Sequence, residues 1–199
     1  MNIEYLIIHH TAVSREQNPE QFDAVKKYHV DKGWGDIAYH YLIEPDGEIK
    51  PGRDEETPGT HTIGYNEKSL GICLSGHFDN EDPTIGQMDS LRTLLNQLME
   101  KYSVSRDNIV PHRTFANKTC YGSRLSDDWA RDLTSNKNDM IFYKEKDNSA
   151  VYQLGADGVY HPIITGELFK NLYGEFEDNE IVEKDSLEPK GQHLAMLNF

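Results

Sequence analysis

Ile3-Glu4-Tyr5-Leu6-Ile7-Ile8-His9-His10-Thr11-Ala12 is the stretch on which the fold turns. A short aliphatic and β-branched run closed by polar residues reads as a buried strand. Its last two side chains are both imidazoles, and neighbouring residues on a strand point to opposite faces. The strand therefore delivers one histidine to each side of its sheet, and periodicity alone does not choose which is used.

Asn18-Pro19-Glu20 offers an N-cap, a proline at the first helical position and an acidic first turn, so a helix is expected from there to about Asp31, ending at Gly33. Ala38–Ile43 and Glu48–Lys50 flank Pro45-Asp46-Gly47 and read as a hairpin. Arg53–Lys68 is rich in Gly, Pro and Thr and reads as a loop over one sheet edge, before a second buried strand at Ser69–Ser75. The clearest helix covers Thr84–Tyr102, where Ile85, Met88, Leu91, Leu94, Leu95, Leu98 and Met99 make one apolar stripe. Asn108-Ile109-Val110 is a short strand, and Ser126-Asp127-Asp128 caps a last helix carrying Trp129 and Leu133. Trp34, Trp129 and the leucine helix are assigned to the core. These elements predict an α/β domain over residues 1–135, a mixed central β-sheet flanked by helices.

Thr134–Asp139 reads as a linker. Beyond it, residues 140–199 are expected to form a small α+β accessory domain: a strand near Ile141–Tyr143, a hairpin around Ala156-Asp157-Gly158, a helix over Thr165–Tyr173 and a strand at Ile181-Val182. From Asp139 onward there are five Lys, no Arg and twelve acidic residues. Cell-wall binding, a packing extension or dimerisation would each suit this tail.

The 199 residues carry a formal net charge of −14. That acidity disfavours nucleic acid and anionic membrane surfaces as partners. No apolar run approaches the roughly 20 residues that span a bilayer, so no membrane insertion is expected. The first residues lack the basic region and apolar length of a signal peptide, which points to synthesis in the cytoplasm. Two cysteines, Cys73 and Cys120, are too few for a disulfide scaffold.

Three features converge on chemistry. His9 and His10 end the first strand, His112 follows the strand at 108–110, and Cys120 comes eight residues later in a loop with Lys118. Two histidines and a thiolate suit tetrahedral zinc, and a three-residue set leaves one position for a reacting molecule.

Four motifs, IIHHTA (7–12), AYHYLIEPDG (38–47), HTIGYNEKSLGICLSGHFD (61–79) and PHRTFANKTC (111–120), resemble the N-acetylmuramoyl-L-alanine amidases of the peptidoglycan-recognition-protein type, in particular their small phage members. The resemblance runs from about Ile3 to Leu133. It implies zinc held by His9, His112 and Cys120, with His10 a mere neighbour, and catalytic roles for Tyr39 and Lys118. It implies hydrolysis of the amide joining N-acetylmuramic acid to L-alanine in peptidoglycan, in a phage endolysin that reaches the wall after release from the host cytoplasm. A cytosolic wall-recycling amidase and a non-catalytic peptidoglycan-binding protein are the alternatives. His61 matches a position near the family's substrate groove and His77 closes the neighbouring strand, so both are expected to bind substrate. His40 is expected to be a hydrogen-bonded core residue and Cys73 buried filler. Some relatives carry a Glu where Tyr39 stands, which leaves the proton-transfer group open here. Host, wall chemotype and oligomeric state are not written in the sequence.

Overall fold

The aliphatic run forms β1 (Tyr5–His10), with Leu6, Ile7 and Ile8 fully buried. The computed structural model describes residues 1–134, 142–146, 151–154, 160–163 and 181–184. The chain divides into two compact units, Met1–Thr134 and Ser135–Phe199.

In the first unit, β1 is followed by α1 (Phe22–Asp31), β2 (Tyr41–Ile43), β3 (Ile49–Pro51), β4 (Ser69–Leu74), α2 (Ile85–Tyr102), β5 (Ile109–Pro111) and the short α3 (Trp129–Asp132). The strands form one mixed sheet of order β3-β2-β4-β1-β5. β1 pairs in parallel with β4 and β5, β2 pairs in parallel with β4, and β2 and β3 make the antiparallel hairpin. A strand enclosed by parallel neighbours is covered on both faces, which is why β1 and β4 read as nearly continuous apolar runs. The residues between β3 and β4 contain no helix or strand, as expected of the loop at 53–68.

Register fixes which side chains share a face. His9 lies opposite Cys73, and Cys73 opposite Leu42. Leu42, Cys73 and Ile37 form a core cluster onto which Phe22 and Val25 of α1 pack, together with Tyr39. His10 lies opposite Leu74 and projects the other way. His40 is buried, its Nδ1 accepting from Gly71 N–H at 2.9 Å, as a core histidine should.

α2 starts where the sequence places it. Thr84 and Gln87 make a reciprocal capping box. The Gln87 amide also donates to the carbonyls of Ile43 (3.1 Å) and Ser75 (2.8 Å), tying the helix start to the ends of β2 and β4.

α1 differs from expectation. It begins at Phe22 rather than after Asn18-Pro19, and Gln21 at its N-cap position makes no side-chain cap bond. The carboxylate of Glu44, just past β2, takes that role: its Oε1 accepts from Gln21 N–H (2.9 Å) and Phe22 N–H (2.7 Å), while Oε2 accepts from the Ser75 hydroxyl (2.5 Å). A buried negative charge at a helix start satisfies otherwise orphaned donors and complements the helix dipole. Trp34 also departs from its core assignment. It stands past the end of α1, 38% exposed, its ring stacked on His29 at 4.9 Å.

In the second unit, β6 (Phe142–Glu145), β7 (Val151–Leu154), β8 (Tyr160–Ile163) and β9 (Ile181–Lys184) form a sheet of order β8-β7-β6-β9. β7 pairs antiparallel with β6 and with β8, and β6 pairs in parallel with β9. The linker from Ser135, the turn at 156–158 and the helix at 165–173 lie outside the described residues.

Glu44→Ala leaves three donors without their buried acceptor and should destabilise the chain by about 1–3 kcal/mol. Urea denaturation at pH 7 measures this, with Glu44→Gln, which keeps one acceptor, losing less.

Candidate metal centre

The sheet register builds the site. Pro111 of β5 lies opposite Ile8, so His112, the next residue, comes alongside His9. Their ring centroids are 4.5 Å apart. Cys120 closes the group, with Sγ 3.7 Å from His9 Nδ1. One donor atom from each of His9, His112 and Cys120 lies within 4.8 Å of the others. Ligands held tetrahedrally at Zn–N and Zn–S bond lengths sit about 3.5 Å from one another. Donor set and spacing therefore both fit a small divalent ion.

The loop that brings Cys120 to this place is anchored by groups the sequence reading missed. Arg113 N–H donates to the Cys120 carbonyl (2.8 Å). Its guanidinium donates to the carbonyls of Gly122 and Leu125 (2.6 Å each), pairs with Asp127 and lies over the Tyr121 ring. From the far side, Asp79 accepts from Ser123 N–H (2.6 Å) and from the Thr119 hydroxyl (3.1 Å). The only available signal was adjacency, an Arg beside a candidate ligand and an Asp closing the HTIGYNEKSLGICLSGHFD motif.

Burial sets the protonation of the group. His9 is held well below the ordinary histidine range, first by desolvation and then by the neighbouring His61, His112, His10 and Lys118. His112 is lowered to about 4, by burial and by Lys118. Burial pushes the Cys120 thiol up to about 11 against the pull of the His10 backbone N–H, Lys118 and Arg113. Without a metal, both histidines thus present neutral lone pairs and the cysteine keeps its proton.

Tyr39 packs its ring 5.0 Å from His9. Burial, Cys73 and Cys120 raise its phenol well above the usual value, so it stays a hydrogen-bond donor. Cys73 is the expected buried residue, and its thiol meets the Tyr39 hydroxyl. Lys118 lies close enough to act electrostatically on His9, His112 and Cys120. It lines an open cleft of about 520 Å³ with Arg113, Phe115 and Asn117.

His61 and His77, the two residues expected to bind substrate, take different places. His61 is buried against His9, with its Nδ1 3.0 Å from His9 Nε2. His77 stands beside His10, ring centroids 5.8 Å apart, with its Nδ1 3.9 Å from Asp79, and is not gathered with the three ligands.

The chain is similar to known proteins over this unit. A family profile described as N-acetylmuramoyl-L-alanine amidase matches residues 1–123. The endolysin of Enterobacteria phage T3 is 35% identical over 133 residues, spanning 64% of this chain and 86% of that protein. The endolysin of Escherichia phage T7 is 34% identical over 131 residues, 63% and 85% of the respective chains. Among solved structures, the N-acetylmuramoyl-L-alanine amidase LysC from Clostridium intestinale URNW superposes with a TM-score of 0.60 at 30% identity, covering 66% of this chain and 85% of its own. Peptidoglycan recognition protein-LE, solved with tracheal cytotoxin, a monomeric diaminopimelic acid-type peptidoglycan, gives 0.58 at 33% identity, covering 68% and 81%. Profile, relatives and fold agree over the unit that holds His9, His112 and Cys120, and the chain belongs to the N-acetylmuramoyl-L-alanine amidase family.

Proposed function

We propose that the first unit is a zinc-dependent endolysin domain in which His9, His112 and Cys120 hold the metal and Tyr39 and Lys118 serve the reaction. Peptidoglycan hydrolysis follows from the family, and the bond cut is the amide between the lactyl group of N-acetylmuramic acid and L-alanine. The observation that carries the metal reading is the convergence of three donor atoms of the right chemistry within 4.8 Å, beside an open cleft.

Held by His9, His112 and Cys120, zinc would supply Lewis-acid polarisation of the scissile carbonyl and would lower the pKa of a water molecule to about 7. The chain's own groups do the rest. Water adds to the carbonyl carbon, negative charge gathers on the carbonyl oxygen, and the C–N bond breaks to leave a lactyl carboxylate and a free L-alanine amine. Lys118 sets a positive charge against the developing oxyanion, the kind of fixed electrostatic stabilisation that is worth most in a dry site. Tyr39, kept protonated by its surroundings, donates a hydrogen bond to the same charge. In the cleft the Arg113 charge is paired with Asp127, and Lys118 adds a further positive charge.

Mass spectrometry of digested peptidoglycan tests the reaction: new peptides should begin with a free L-alanine amino group, and new reducing sugar ends in their place would overturn it. Cys120→Ala should abolish clearing of wall suspensions while leaving the circular dichroism spectrum unchanged. Tyr39→Phe and Lys118→Ala should lower kcat by about 10²-fold or more with KM little altered, the pattern for contacts made in the transition state.

The protonation pattern also fixes a pH dependence. Burial holds His9 well below the ordinary histidine range and lowers His112 to about 4, so both are neutral near pH 7, whereas the Cys120 thiol, at about 11, must give up its proton to bind. One proton is released per ion, so zinc affinity measured by chelator competition should rise about tenfold per pH unit between pH 6 and 9. A pH-independent affinity would remove Cys120 from the ligand set.

A further inference from the structure

His61 stands directly against the His9 ring. His9 divides its two ring nitrogens: Nδ1 faces the Cys120 sulfur at 3.7 Å, and Nε2 faces His61 Nδ1 at 3.0 Å. The two rings meet edge to face, at 90° and 5.0 Å between centroids.

The slot around His61 is shaped to its ring. A Cβ on Gly59 would fall 2.3 Å from His61 Cδ2, and one on Gly71 would fall 2.6 Å from Cγ, so only glycine at both positions leaves room. The chain on either side is fastened as well, since Asn66 Oδ1 accepts from the backbone N–H of His61 (2.9 Å) and of Thr62 (2.8 Å). The far nitrogen, Nε2, lies 3.4 Å from the Ser69 hydroxyl, which itself donates to the Tyr65 carbonyl at 2.7 Å. The Thr62 hydroxyl lies 3.0 Å from Nδ1, on the side shared with His9.

We infer that His61 is a positioning residue for the metal centre: it accepts the proton on His9 Nε2 and so keeps the His9 Nδ1 lone pair free and aimed at the ion. Two arrangements of the pair exclude each other. With the proton on His9 Nε2, His61 Nδ1 is the acceptor and His61 carries its own proton on Nε2, facing Ser69. With the proton on His61 Nδ1, His9 Nε2 becomes the acceptor and His9 must hold its proton on Nδ1, where it blocks coordination. Metal binding selects the first arrangement, and the glycine-walled slot holds the acceptor where that arrangement needs it. A ligating imidazole whose second nitrogen is hydrogen-bonded is oriented and made more basic, and loss of such a partner costs about 10–100-fold in metal affinity or activity.

The inference rests on the zinc reading, and the test separates the two. Zinc affinity is measured by chelator competition on the full chain for wild type, His61→Phe, which fills the slot without an acceptor, and His61→Gln, whose carboxamide oxygen can replace it. Melting of the metal-free proteins is recorded alongside. His61→Phe should bind zinc about 10–100-fold more weakly, and His61→Gln should recover most of that loss. A purely structural role would lower both melting temperatures and leave the affinity of folded His61→Phe at the wild-type value, which overturns the inference. Should His61→Phe not fold, nitrogen-15 correlation spectra of zinc-loaded wild type decide: His9 protonated at Nε2 and His61 at Nε2 supports it, and His61 protonated at Nδ1 overturns it. A wild-type chain that binds no zinc overturns the metal reading itself.

Discussion

Everything at the site depends on β1 being hydrogen-bonded along both edges to parallel neighbours. That pairing fixes the pleat, and the pleat sends His9 and His10 to opposite faces. It also sets the register that brings His112 alongside His9, although 102 residues of chain lie between them. A slip of one residue would exchange the two histidines and move every aliphatic side chain of β1 to the wrong face. The apolar content of the strand is thus what holds the imidazole of His9 in place. His10 joins the scaffold instead: its Nδ1 accepts from Phe78 N–H at 3.0 Å, and burial lowers its pKa to about 4.

The third donor has no strand to hold it, so polar contacts do the work. Arg113 and Asp79 grip the Cys120 loop from two sides, chiefly through its main chain. Ion pairs on a surface contribute little, but a guanidinium satisfying several carbonyls fixes geometry as well as charge. Because Arg113 directly follows His112, one short segment both supplies a ligand and anchors the loop that supplies another. The net charge of −14 plays no part in this.

What could be read from the sequence is what is local or strictly periodic. The apolar stripe from Ile85 to Met99 repeats at the helical period, so α2 was legible to within a residue of its start. The start of α1 was not, because the acceptor for its free N–H groups is Glu44, just past β2 and 22 residues or more along the chain. Asn18-Pro19 is a sound local signal overridden by a tertiary one. The grouping of His9, His112 and Cys120 was legible through residue type and motif order, whereas the place of His61 was not. Its partner is 52 residues away, and a histidine in a Gly- and Thr-rich loop looks the same whether it faces solvent or the back of a ligand. Trp34 reads as core by size and lies outside it because α1 ends just before it.

The same burial that builds the sheet also prepares the donors. A histidine exposed to water is protonated over half its range near pH 6.5 and must lose that proton before it can ligate. Here desolvation removes the charge from His9 and His112 in advance, while the Cys120 thiol keeps its proton. Burial has a consequence, however: a neutral imidazole still carries one N–H, and an N–H sealed from water needs an acceptor. For His9 the only ring nitrogen not turned to the metal site faces His61. The demand for neutral ligands and the demand for satisfied hydrogen bonds therefore converge on one residue. That is why a second histidine, walled by Gly59 and Gly71, belongs behind the first.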